Sequence, residues 1–108
     1  MQTLIQVFCK GNLTSLRKKI AEDPKLEEYN LFVREHKANN RSDGWLKLGA
    51  KGRNGALNIE WDAKTKMLSS RIVNKGKGKP DQIAGDFVSY LLGRHKNIIK
   101  AIQIVPID

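Results

Sequence analysis

Hydrophobic positions follow two periods along the chain. Leu4, Ile5, Val7, Phe8 and Cys9 are apolar on both faces of an extended segment, the pattern of a central β-strand. From Leu13 the spacing becomes helical: Leu13, Leu16 and Ile20 share one face and Arg17, Lys18 and Lys19 the other. Asn12 is placed to cap this helix and Pro24 to end it. The stretch from Lys25 to Tyr29 reads as a further helical turn, and Leu31 to His36 as a short strand. Lys37 to Asp43 reads as a polar loop.

An antiparallel meander follows. Its strands run from Gly44 to Lys51, Ala56 to Asp62 and Lys66 to Lys75. Arg53-Asn54-Gly55 forms the first turn, because Asn-Gly tolerates the positive φ of a tight hairpin, and Asp62 to Thr65 forms the second. Pro80-Asp81 opens a second helix carrying Ile83, Ala84, Phe87, Val88, Leu91 and Leu92 along one core-facing stripe. Gly85 within it costs about 1 kcal/mol relative to alanine, which predicts a close packing contact there. The β-branched segment from Ile98 to Ile107 reads as a second central strand. The order is β-α-β-β-β-β-α-β. This predicts an α+β fold with a mixed, mostly antiparallel sheet, its two end strands side by side and both helices on one face. The other face of the sheet is then at least partly solvated.

Composition narrows the class. The 108 residues have the length of a single domain, and 40% hydrophobic content suits a globular chain. The lone cysteine, Cys9, has no internal disulfide partner and lies in an apolar run, as a small core residue does. No apolar run approaches the ~20 residues of a bilayer span, and Met1 to Cys9 lacks the basic leader of a signal peptide. A cytoplasmic protein is expected, or a nuclear one in a eukaryote. No Cys/His/Asp cluster suggests a metal site. Gly76-x-Gly78 lacks the third glycine of a dinucleotide fingerprint, Asp81 standing in its place, so no cofactor is expected.

The charge is more informative. The formal net charge is +9, and it is not spread evenly. Residues 1–36 carry six Lys/Arg against five Asp/Glu, residues 37–80 eleven against three, and residues 81–108 three against three. An excess concentrated in the middle third points to a polyanionic partner, nucleic acid foremost, with no membrane involved. The period of two along the meander places Leu46, Leu48, Leu57, Ile59, Trp61, Leu68 and Ile72 on the core face. Trp45, Lys47, Lys51, Asn58, Ser69, Arg71 and Lys75 fall on the solvated face. An aromatic among cations there suits base stacking and phosphate pairing. Trp45 could equally be covered by a loop or by a second copy of the chain, whereas Trp61 is expected in the core.

Alternate turns of a meander lie at one end. Lys51, Arg53, Lys75, Lys77 and Lys79 therefore gather around the start of the second helix, where glycines let backbone N–H groups approach an oxyanion. Asp81 competes for that position. Three strands, a lysine loop and a helix over residues 44–95 resemble, in order and charge, the second half of a double-stranded-RNA-binding domain. In that family basic residues at the start of the last helix grip phosphates. The two end strands have no counterpart there.

The expected function is thus a non-enzymatic nucleic-acid-binding module. Its rivals are a small basic ribonuclease using His36 and His95, and a protein-interaction domain for an acidic partner.

Overall fold

The computed structural model describes residues 2–12, 14–74 and 80–107. They form a six-stranded sheet in the order β2-β3-β4-β5-β1-β6, with every ladder antiparallel. The strands are β1 (Gln2–Cys9), β2 (Leu31–Glu35), β3 (Trp45–Ala50), β4 (Gly55–Asp62), β5 (Met67–Asn74) and β6 (Ile99–Ile107). Helix α1 (Leu16–Ala21) and helix α2 (Pro80–Arg94) join them, with 3-10 turns at Leu26–Tyr29 and Lys96–Ile98. The α+β class, the element order and the pairing of the two end strands agree with the sequence.

Both helices cover one face. Leu16 and Ile20 of α1 and Ile83, Phe87, Tyr90 and Leu91 of α2 are buried against Leu46, Leu48, Leu57, Ile59, Leu68, Ile72, Ile5 and Val7. Alternation along each strand produces this core, because cross-strand partners share a face: Leu46 opposes Ile59, Ile59 opposes Ser70, and Ser70 opposes Ile5. Cys9 belongs to this core, and burial pushes its thiol up to about 11.

Several local expectations are corrected. Helix α1 is capped by Ser15, not Asn12: Ser15 has extended φ and ψ, and its hydroxyl accepts the Lys18 N–H at 3.1 Å. Leu13, expected on its apolar face, lies outside the described residues. The first meander turn takes positive φ at Gly52 and Gly55 (74° and 152°), whereas Asn54 keeps negative φ. The apolar stripe of α2 rotates so that Tyr90 is buried and Leu92 half exposed.

Gly85 meets nothing within 4 Å of where a Cβ would stand, so no close contact explains it. The close approach occurs at Gly93 instead, where a Cβ would fall 2.7 Å from Cζ of Tyr29. The last strand, read as central, is the edge strand β6. Its β-branched composition does not distinguish a strand flanked on both sides from one flanked only by β1. Helix α2 contacts β1, β4 and β5, which leaves Ile104 of β6 52% exposed.

Candidate functional site

Among the described residues no helix lies on the other face of the sheet. Its cross-strand rows are Trp45–Glu60–Ser69–Gln6–Gln103 and Lys47–Asn58–Arg71–Leu4–Val105. Lys47, Asn58, Ser69, Gln6 and Leu4 are half-buried, and Arg71, Glu60 and Gln103 are exposed. The period of two assigned these faces correctly. Lys47 and Arg71 flank Asn58, two strand spacings or about 10 Å apart along one row.

A cleft of 440 Å³ opens on this face, lined by Arg41, Trp45, Asn58, Glu60, Ser69 and Arg71 among others. Arg41 is contributed by the loop between β2 and β3. That loop is held from two sides. The Ser42 hydroxyl donates to the Glu60 carboxylate at 2.8 Å, and Arg17 of α1 donates to the carbonyls of His36 and of Trp45. The Arg41 guanidinium stands 5.6 Å from the Trp45 ring centroid.

Trp45 is consequently 5% exposed, and the solvated stacking platform expected at this position is absent. The face is the expected one, but the loop covers the ring. Trp61, expected in the core, is half-buried near the end of β4, where the core thins. Trp45 is thus covered by a loop, one of the two outcomes its position allowed, and Trp61 packs against the core while keeping part of its surface in water.

The remaining residues of the basic rim separate. Lys51 is exposed in the turn after β3. Arg53 is folded back: its Nε donates to Asp86 of α2 at 3.2 Å, and the amide of Asn30 donates to the same oxygen at 3.3 Å. Asn30 also donates to the Lys51 carbonyl at 2.8 Å, so this corner is cross-linked from within. Arg53 thus staples a turn to a helix, a role that charge alone cannot reveal. The β3–β4 turn does lie beside the end of β5, with Gly55 opposite Asn74. Lys75, Lys77 and Lys79 lie outside the described residues.

Three residues of this face went unassigned in the sequence. Arg41 was read only as part of a polar loop. Phe32 and Arg34 belong to β2, where the period of two separates Phe32 from the core residues Leu31 and Val33. Phe32 is 37% exposed and its ring lies over Gly49 of β3, where any Cβ would fall within 2.4 Å of it. A register shift between Val33 and Glu35 leaves Arg34 out of the ladder, with its guanidinium 5.9 Å from the Phe32 centroid.

The histidines of the ribonuclease reading occupy separate surroundings, and no hydrogen bond or ring contact joins them. His36 is exposed at the end of β2. His95 is enclosed after α2, its Nε2 2.8 Å from the Tyr90 hydroxyl and 3.6 Å from the Asp23 carboxylate. Burial lowers the His95 pKa, and the charge of Asp23 opposes that only partly. Asp23 also accepts from the Tyr90 hydroxyl at 2.8 Å and from Arg94 through both carboxylate oxygens at 3.2 Å. Burial pushes the Asp23 carboxyl up, but hydrogen bonds from Arg94, the Lys25 N–H and Tyr90 outweigh it and hold the pKa below its usual value. These contacts tie the turn after α1 to the C-terminal end of α2.

Comparison of the chain with protein-family models, with curated proteins and with solved structures finds no match. Among the described residues there is no group of metal-binding side chains and no helix long and apolar enough to cross a membrane.

Proposed function

We propose that the helix-free face of the sheet binds nucleic acid and catalyses no reaction on it. The observation that carries this reading is the row Lys47–Asn58–Arg71 on a face that no helix covers, with Arg41 beside it across the cleft. Lys47 and Arg71 lie on one row with long, cationic side chains suited to the phosphates of a strand. Asn58 between them offers both a donor and an acceptor to a base edge. Glu35 and Glu60 lie on the same face, so its positive potential is moderated. Glu60 is engaged by Ser42.

The location of the charge supports the reading. Arg41, Lys47 and Arg71 all belong to the basic middle third, and Lys37, Lys51, Lys64 and Lys66 surround the sheet at loops and strand ends. Steering of a polyanion towards this region follows from that distribution.

The test is fluorescence anisotropy of labelled oligonucleotides at several salt concentrations. With three cations on phosphates, log K should fall with log salt with a slope of about −2 for single strands. The double variant Lys47→Ala, Arg71→Ala should weaken binding and bring the slope to about −0.7. Binding that ignores both salt and these two residues would contradict the proposal.

A further inference from the structure

We propose that this face takes single-stranded nucleic acid, with the Phe32 ring as its base-stacking platform and Lys47 engaging the adjoining phosphate. The inference rests on the reading that the face binds nucleic acid, and it adds the class of strand and a residue that recognises bases.

A large apolar side chain on a solvated sheet face needs support, and Gly49 supplies it: the space left by the missing side chain receives the ring. The backing is rigid, because Gly49 is paired on both sides, to Phe32 in β2 and to Ala56 in β4. Phe32 nevertheless keeps 37% of its surface in water, whereas the tryptophan on the same face keeps 5%. The Arg34 guanidinium lies over the outer side of the ring, 5.9 Å from the centroid, so an unstacked base settles on the backed ring by taking the place of that guanidinium.

The surroundings of the ring carry the strand class. Arg34 stands 5.9 Å from its centroid, and Glu35, the next residue, is matched to Lys47 in the ladder. Lys47 lies on the same face of β3, two residues along from the Gly49 that backs the ring. From Lys47 the row continues through Asn58 to Arg71, a polar track leading away from the ring across the sheet. A base stacked on Phe32 would have its neighbours laid over side chains that offer amide and hydroxyl groups, among them Asn58 and Ser69. In a duplex the faces of internal bases are already stacked, so Phe32 could add little to duplex binding.

The experiment uses the whole chain, with labelled single strands and a blunt duplex of equal length as probes. The variants are Phe32→Ala, Phe32→Leu, Phe32→Tyr and the charge variant Lys47→Ala, Arg71→Ala. Phe32→Leu retains an apolar cover over Gly49 but removes the π face, so it separates stacking from support of the fold. Phe32→Leu and Phe32→Ala are expected to weaken single-strand binding by about 5- to 100-fold, with the salt slope unchanged. Phe32→Tyr should bind as the parent does, and duplex binding should be insensitive to all three. Single-strand binding unchanged in Phe32→Leu but weakened in the charge variant would overturn the stacking role while leaving the electrostatic reading intact. Tighter binding of duplex than of single strand would overturn the strand class. Failure of the parent protein to bind any probe would remove the underlying reading as well.

Discussion

At the scale of single residues, the period of two along β3, β4 and β5 placed each side chain on its correct face. What it could not supply was coverage. Trp45 lies on the helix-free face as its position demands, yet it is buried, because Arg41 and the loop held by Arg17 and Ser42 fold over it. Those contacts join residues 17, 41, 42 and 60, and no local pattern reports them. Phe32 obeys the same rule in β2, on the face opposite Leu31 and Val33.

The enclosed cluster of Asp23, Tyr90 and His95 gives a pH prediction at this scale. Native His95 has a lowered pKa, so the unfolded chain binds the proton more readily. Its contribution to stability is present above about pH 6.5 and is lost as pH falls through the lowered native value. Asp23 behaves similarly in a lower window: its contribution is present above about pH 3.9 and is lost as pH falls through its own lowered value. Urea unfolding across this range should show stability declining in two acid steps. His95→Gln should remove the step that begins near pH 6.5 and leave the lower one. An unchanged upper step in the variant would assign it to another group.

At the scale of elements, the hydrophobic pattern predicted every strand and both principal helices to within a few residues. The errors fall where local pattern is silent. Apolar composition on both faces suggested a central β6, but the strand is an edge paired to β1, with Ile104 52% exposed. Helical glycine signals a departure from ideal composition without saying whether something presses on it. In α2 the two glycines differ, and this is testable by thermal unfolding. Gly85→Ala should stabilise the protein by about 0.5–1 kcal/mol, since the helix gains propensity and the new methyl meets open space. Gly93→Ala should cost about 1 kcal/mol net, because Tyr29 must move off its edge-on contact with Tyr90 at 5.6 Å. Equal shifts for the two variants would contradict the packing described for the C-terminal half of α2.

At the scale of the whole molecule, the architecture divides labour between the two faces of one sheet. The helical face buries Leu, Ile and Phe side chains and carries the stability. The opposite face retains lysine, arginine, amide and hydroxyl groups in rows set by the strand register. The charge excess was legible from the sequence, and so was its concentration between residues 37 and 80. Which cations are tied into the fold was not. Arg53 is committed to Asp86 and Arg17 to backbone carbonyls, and both look like any other basic residue in one dimension. The phosphate seat expected at residues 75–79 lies outside the described residues.

The central claim is that nucleic acid is engaged by the helix-free face of the sheet. Amide chemical-shift mapping of the isotope-labelled protein, titrated with a short single-stranded oligonucleotide, addresses it most directly. Shifts are expected at Phe32, Arg34, Arg41, Lys47, Asn58, Ser69 and Arg71, with the exposed face of α2 around Gln82, Ser89 and Leu92 unmoved. Shifts clustered on α2, or at Lys19, Arg94 and Lys96 beyond its C-terminal end, with the sheet face silent, would contradict it.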